Sequence, residues 1–312
     1  MISKQIKTLG LLMLLVILTG CAGTTTQLDT DIHTGRQGIV VTIENTDILQ
    51  NVIKGMTLPI NVKLENKGAY DVEAAQIKLI YDDKLFEESD TLKYFDLEGK
   101  KQYNPEGYFD YFEYDLINKE LPSENKNSYL LTHTCYKYKT YAKTNICFGN
   151  PSSPGCNYDN YKTISLTDGQ GAPIGISRIT ENVVESKENF DVILDIYIEN
   201  FGNGKTTKPT KYTAFCETQE EIGQNDLNFI ALNSFLLSDD DVVNTLGFKC
   251  QNIEDDNTFD LTKRHIVCTK RFAKQDYPSS FVTILEIELE YGYVQTTSNR
   301  IVFQNLEKEL WS

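Results

Sequence analysis

In this 312-residue chain, the seven cysteines are the residues whose chemistry is most clearly indicated by the sequence. Cys21 lies near the N-terminus, and the other six are Cys135, Cys147, Cys156, Cys216, Cys250 and Cys268. A thiol can form a thioether with a lipid or a disulfide with a second thiol, and an even set in an exported chain indicates disulfides. No two cysteines have the C-x-x-C spacing, and the chain holds only three histidines. The sequence therefore predicts neither a zinc site nor a histidine-based catalytic triad.

The residues before Cys21 have the pattern of an export signal. Lys4 and Lys7 precede an apolar run, and the run closes with Leu18-Thr19-Gly20-Cys21, an ending that resembles the lipobox of prokaryotic lipoproteins. The resemblance implies a signal peptide over 1–20, lipidation of Cys21, and a location on the cell membrane facing the extracellular or periplasmic side. Residues 21–36 are then the lipidated cysteine with a flexible tether. The alternative is an ordinary signal peptide or a retained anchor, but the apolar run is short for a bilayer core of about 30 Å.

Charge and missing motifs narrow the function classes. The formal net charge is −15, and removal of the signal peptide with its two lysines and no acid makes it −17. So acidic a chain disfavours nucleic acid as a partner. No nucleophile elbow, phosphate-binding glycine loop or His-Glu-x-x-His is present, and His133 and His265 are interpreted as hydrogen-bonded or exposed residues. We predict no catalytic residue and no cofactor.

Two surface features are candidates for binding. The first is the aromatic strand around Tyr108, Tyr111, Phe112 and Tyr114, which is either a glycan- or protein-binding face or part of a sandwich core, the core being favoured. The second is the acidic run Asp239, Asp240 and Asp241. It is a weak calcium candidate, because calcium needs six to eight converging oxygens and the run lacks the Asp-x-Asp-x-Asp-Gly pattern. A solvated turn is favoured there.

Alternating apolar and polar residues indicate that strands position these features. The alternation from Leu58 to Leu64 ends in Asn66-Lys67-Gly68, and 134 residues later an alternating strand ends in Asn200-Phe201-Gly202. A second echo aligns Tyr136 to Phe148 with Tyr291 to Phe303, and each stretch is predicted to be a terminal β-hairpin with a Tyr-x-Tyr step. Two echoes in the same order indicate an internal duplication.

The duplicated strand resembles that of CARDB-like and related immunoglobulin-like or fibronectin-like domains of prokaryotic surface proteins. The resemblance implies an all-β fold of two tandem immunoglobulin-like β-sandwiches. The boundaries are 37–156 for the first sandwich, 157–172 for a linker, 173–306 for the second, and 307–312 for a C-terminal tail. Strand phase leaves Cys135–Cys147 and Cys147–Cys156 as alternative disulfides, with Cys250–Cys268 preferred in the second half.

These features together predict a non-enzymatic, lipid-anchored surface protein that acts in adhesion, envelope assembly or protein–protein interaction. Its partners would be the membrane, through the anchor, and a protein or glycan at the surface. One alternative is a solute- or glycan-binding lipoprotein, and a less favoured one is an envelope hydrolase.

Overall fold

Strands make up most of the regular structure. A computed structural model describes residues 32–88, 90–120, 128–218 and 226–303, and the predicted all-β class is confirmed there. The strands are β1 (Ile39–Glu44), β2 (Thr57–Asn66), β3 (Val72–Ile80), β4 (Phe86–Glu87), β5 (Leu92–Leu97), β6 (Phe109–Asn118), β7 (Ser128–Gly149), β8 (Thr163–Ser165), β9 (Ile174–Glu185), β10 (Asn189–Asn200), β11 (Lys205–Thr207), β12 (Phe229–Leu237), β13 (Asp240–Asp241), β14 (Lys249–Gln251), β15 (Thr258–Asp260), β16 (His265–Ala273) and β17 (Ser280–Ile301). One α-helix, α1 (Tyr212–Thr218), and three 3₁₀ turns (Thr46–Gln50, Tyr158–Asn160 and Leu261–Lys263) complete the described elements.

The strands form three antiparallel sheets. The first outer sheet has the order β1-β2-β6-β4, and the second outer sheet has the order β14-β16-β10-β9-β8. A central sheet has the order β13-β12-β17-β7-β3-β5, with β11 on β17 and β15 on β12. Alternate residues of β2 and β10 are buried, including Leu58, Ile60, Leu194 and Ile198, so the predicted period-two pattern is confirmed. Burial of these apolar faces against the central sheet is the main stabilising contribution.

The two longest strands, β7 and β17, pair with each other from end to end. The prediction of a terminal hairpin in each echo is therefore wrong: Tyr136–Phe148 lies within one continuous strand, and Tyr291–Ile301 lies within another. The physical reason is local. Neither strand contains a turn dipeptide such as Asn-Gly, and no non-glycine residue in them has a positive φ, so nothing reverses the chain.

The Tyr-x-Tyr steps meet at the centre of this pair. Tyr136 lies opposite Tyr293, Tyr138 lies opposite Tyr291, and Lys137 lies opposite Gly292, its own counterpart in the second echo. The two sequence echoes are therefore related by a local twofold axis through the Lys137–Gly292 pair. All four tyrosine side chains are fully buried.

The end of each long strand packs against the outer sheet of the other half. The ring of Phe148, at the end of β7, packs against Phe190 and Phe272 of the second outer sheet, with centroids 6.4 and 5.1 Å apart. Phe303, after β17, packs against Phe86 of the first outer sheet at 5.8 Å. The predicted linker 157–172 contains β8, which joins the second outer sheet. Residues 31–312 form one compact unit. The division of this unit into two sandwich domains at the stated boundaries stays a prediction.

Candidate binding surfaces

The structure pairs all six downstream cysteines. Cys250 and Cys268 lie directly opposite each other on β14 and β16, and the preferred pair is thus present. Cys147 and Cys156 close the loop after β7. The third disulfide joins Cys135 on β7 to Cys216 on α1.

The alternative Cys135–Cys147 pair is wrong. Both cysteines lie on β7, and residues 12 positions apart on one extended strand are separated by about 40 Å. Sequence reasoning also missed α1, a short helix of 7 residues, or about two turns. Side-chain hydrogen bonds help to hold it on the central sheet: Gln76 Nε2 donates to Glu217 Oε1 at 2.7 Å.

The aromatic strand β6 divides its rings between two environments. Tyr114 is 2 % exposed and Phe112 packs on Phe95 in the core, with ring centroids 6.1 Å apart. Tyr108 is also half-buried against the core. Of the four predicted residues, only Tyr111 faces solvent, at 46 % exposure. The period of two explains the division, because neighbouring residues of a strand point to opposite faces.

An exposed aromatic patch does form around Tyr111, with one residue that sequence reasoning did not nominate. Phe109 is 59 % exposed and meets the Tyr111 ring edge-on, with centroids 5.7 Å apart. The ammonium of Lys63 lies 5.1 Å from the centre of the Phe109 ring. Phe109 and Tyr111 are called the aromatic patch below, and strand phase was the signal that would have selected Phe109 over Phe112.

A polar groove of about 710 Å³ lies on the second outer sheet. His265 Nδ1 lies 2.9 Å from Asp195 Oδ1, and the guanidinium of Arg178 stacks 3.9 Å from the centre of the Tyr197 ring. The expectation that His265 is hydrogen-bonded is confirmed. The residues that line the groove, all from the described ranges, include no serine or cysteine. The hydroxyl of Thr262, which is part of the lining, donates to Asp260 Oδ1 at 2.7 Å.

His133 lies in a different environment. It is half-buried beneath α1, where its ring stacks on Phe215 with centroids 4.9 Å apart. Burial lowers the pKa of His133, and the nearby Lys78 lowers it further. The neutral imidazole thus serves as a packing surface for α1.

The acidic run forms a hairpin turn. Ser238 and Asp239 both have positive φ angles, as the two central residues of a tight turn between β12 and β13 require. Asp241 Oδ1 accepts hydrogen bonds from the backbone of Val243 and Asn244 at 2.9 and 2.6 Å. Within the described ranges, no group of three or more His, Cys, Asp or Glu side chains could hold a metal ion.

The predicted lipidation site and tether lie outside the described residues as far as residue 31. In the part of the chain that the structure covers, no helix has the length and apolar character needed to cross a membrane.

Comparisons with known proteins do not assign a family. No protein-family model and no curated protein matches the chain. Among solved structures, the secreted serine protease VesC from Vibrio cholerae aligns with 86 % of this chain at 10 % identity and a TM-score of 0.20. The chain spans about half, 52 %, of that protease chain. The B domain of a biofilm-associated protein aligns with 83 % of this chain and 72 % of its own, at 7 % identity and a TM-score of 0.15. TM-scores this low support no argument about fold or function.

Proposed function

We propose that the chain is an exported, lipid-anchored surface protein whose β-sandwich body binds a partner outside the cytoplasm. The observation that carries the proposal is the pairing of all six downstream cysteines. Disulfides persist in oxidising compartments and are rare in the cytosol. The pairing leaves Cys21 as the seventh cysteine, in the Leu-Thr-Gly-Cys context typical of lipidation.

Labelling with an alkyne-bearing fatty acid in a bacterial host tests the anchor. We expect the wild-type chain to incorporate the label, to fractionate with membranes, and to lack residues 1–20 by intact mass. Cys21→Ala should lose the label, because the acceptor thiol is gone. Cys156→Ala is the matched control and should keep it. Unlabelled wild-type protein that still begins at Met1 would contradict the proposal.

The shared central sheet supports a binding role over a catalytic one. Pairing of β7 with β17 over 22 residues joins the two halves through a continuous ladder of backbone hydrogen bonds. Such a body presents its loops and edges in fixed positions, which suits adhesion, envelope assembly or protein–protein interaction. The described lining of the groove beside His265 contains neither serine nor cysteine.

A second candidate function is glycan binding at the aromatic patch. The exposed rings of Phe109 and Tyr111 offer apolar faces, and Lys63 supplies a hydrogen-bond donor beside them. Large exposed apolar patches mark interaction sites more often than isolated exposed rings do.

A glycan array probed with the soluble body tests this second candidate. We expect a binding signal that Phe109→Ala, Tyr111→Ala removes. Tyr94→Ala is the matched control, because Tyr94 is equally exposed, at 61 %, but lies on β5 at the edge of the central sheet. Equal binding by both variants would refute a role for the patch.

A further inference from the structure

Because of the local twofold axis, each strand edge in one half can be compared with its counterpart in the other half. In the second half, the outer edge of β9 has partners from Ile174 to Glu181. Ile174 donates its N–H to Tyr291 Oη at 3.4 Å, and its carbonyl accepts from Thr140 Oγ1 at 2.6 Å. The side-chain amide of Gln170 then bonds both backbone groups of Ile176, at 2.9 and 3.3 Å.

The outer edge of β9 continues with a short strand. β8 pairs with residues 178–180 of β9, and Leu166, just after β8, donates its backbone N–H to the carbonyl of Ser177. An extended stretch of the chain thus lies along β9, and residues 165–170 line a cavity of about 380 Å³ together with residues 141–143 of β7.

The corresponding edge of β1 in the first half carries no strand within the described ranges. Ile39 repeats the first contacts: its N–H donates to Tyr136 Oη at 3.3 Å, and its carbonyl accepts from Gln295 Nε2 at 2.8 Å. β1 is the edge strand of its sheet, and no described strand pairs with its outer side. A cleft of about 210 Å³ lies there instead, between residues 39–41 of β1 and residues 295–297 of β17.

Alternate residues of β1 point their backbone groups away from β2. Lys67 donates to the carbonyl of Gly38, and hydrogen-bonded positions alternate along an antiparallel pair. Val40 and Thr42 therefore point their backbone groups at β2, while Val41 and Ile43 point theirs to the outer edge, where Val41 lines the cleft. Val41 holds the place that Ile176 holds in the other half, where Gln170 supplies the partner.

We propose that the slot between β1 and the end of β17 accepts an extended polypeptide strand of a partner protein. The occupant follows from the second half, where the equivalent edge of β9 pairs with the extended segment β8. Open strand edges bind extended peptides through main-chain hydrogen bonds. The assignment names the partner class of the binding role proposed above and rests on that role, but not on the lipid anchor.

Residue-resolved amide exchange on the full-length protein in detergent tests the slot. The probe is a synthetic peptide with the sequence of residues 162–171, Lys-Thr-Ile-Ser-Leu-Thr-Asp-Gly-Gln-Gly, the segment that lies along the outer edge of β9. We expect the Val41 and Ile43 amides to exchange fast in the free protein and about tenfold more slowly with the peptide. The Thr42 amide, already paired with β2, should stay slow throughout.

Two variants at one position isolate the edge. Val41→Pro removes the N–H that points into the slot and leaves the β1–β2 ladder intact, as proline at a strand edge does. We expect it to weaken peptide binding by about tenfold, while Val41→Ala, which keeps the N–H, stays within about threefold. A thermal melt shows whether each variant is folded, and the exchange experiment on the wild type does not depend on either.

Three results would overturn the proposal. Slow exchange at Val41 and Ile43 in the protein alone would mean that the chain already fills its own slot. Protection that rises with protein concentration and not with peptide would assign the edge to a second copy. Fast exchange unchanged by millimolar peptide would leave the slot without a strand ligand. None of these results alters the fatty-acid labelling at Cys21, so failure here and failure of the anchor are distinguishable.

Discussion

A carboxyl group buried in the second half should make the stability of the protein depend on pH. Glu181 lies on β9 with only 3 % of its surface exposed, and neither carboxyl oxygen has a hydrogen-bond partner in the described structure. Burial raises the pKa of Glu181 to about 8, an effect that the nearby backbone amide of Cys147 partly opposes. The group is therefore protonated in the folded protein near neutral pH.

The size of the effect follows from linkage. The unfolded chain has a glutamate pKa near the ordinary value of 4.5, so unfolding releases a proton between pH 4.5 and pH 8. Each unit of pKa difference is worth about 1.4 kcal/mol. Below pH 4.5 Glu181 is protonated in both the folded and the unfolded protein, so its titration does not lower the free energy of unfolding there. The free energy of unfolding then falls as pH rises, by about 3 kcal/mol at pH 7 and about 5 kcal/mol above pH 8.

Glu181→Gln removes the titration and keeps the shape of the side chain. Urea unfolding with the disulfides intact, measured from pH 5 to pH 9, should show similar stability for variant and wild type at pH 5. At pH 9 the variant should be more stable by several kcal/mol, since the amide never ionises.

Glu185→Gln is the matched control on the same strand. Glu185 is ion-paired with Lys274 at 2.5 Å, and hydrogen bonds from Lys274 and Ser152 lower its pKa. Its replacement should leave the slope above pH 5 unchanged. Parallel stability curves for wild type and Glu181→Gln would refute the reasoning.

Two further predictions concern a disulfide and a pair of tyrosine hydroxyls that link distant parts of the chain. Replacing Cys250 and Cys268 together by serine should lower the free energy of unfolding by about 3 kcal/mol, because the loop that the disulfide closes is 18 residues long; a urea midpoint equal to that of the wild type would contradict this. Tyr138→Phe removes a hydroxyl that donates to Asn66 Oδ1 at 3.1 Å and should cost about 1–2 kcal/mol in thermal or urea unfolding. Tyr293→Phe, its twofold counterpart, should cost a similar amount, and a difference above about 2 kcal/mol would argue against equivalent roles.

The asparagines of the two sequence echoes show which contacts a sequence pattern predicts and which it does not. Each Asn-x-Gly was predicted to end a strand and turn the chain, and in each the asparagine Oδ1 accepts from the glycine N–H two residues on, at 3.2 and 3.1 Å. The same oxygens also accept from Tyr138 and Tyr293, at 3.1 and 3.2 Å. The local turn is readable from the sequence because it involves neighbours. The tyrosine contact is not, because its partners are 72 and 93 positions away.

In the aromatic strand β6, too, the sequence predicts only part of the candidate site. Composition marks β6 as rich in rings, but it leaves open which face is buried. A shift of one residue exchanges Phe109 with Phe112 between solvent and core, and pairing with β2 decides between them. The sequence therefore nominates the strand, and the sheet selects Phe109 and Tyr111.

The sequence by itself determined the strand content, the alternating burial of β2 and β10, and the preference for Cys250–Cys268, because these depend on local periodicity and cysteine number. Only the tertiary structure decided that β7 and β17 pair through their tyrosines, that Cys135 reaches Cys216 on α1, and that the outer edge of β9 carries β8 while the outer edge of β1 carries no strand within the described ranges. Those outcomes depend on contacts between residues far apart in the chain, where many pairings share the same local pattern and only the packed core selects one.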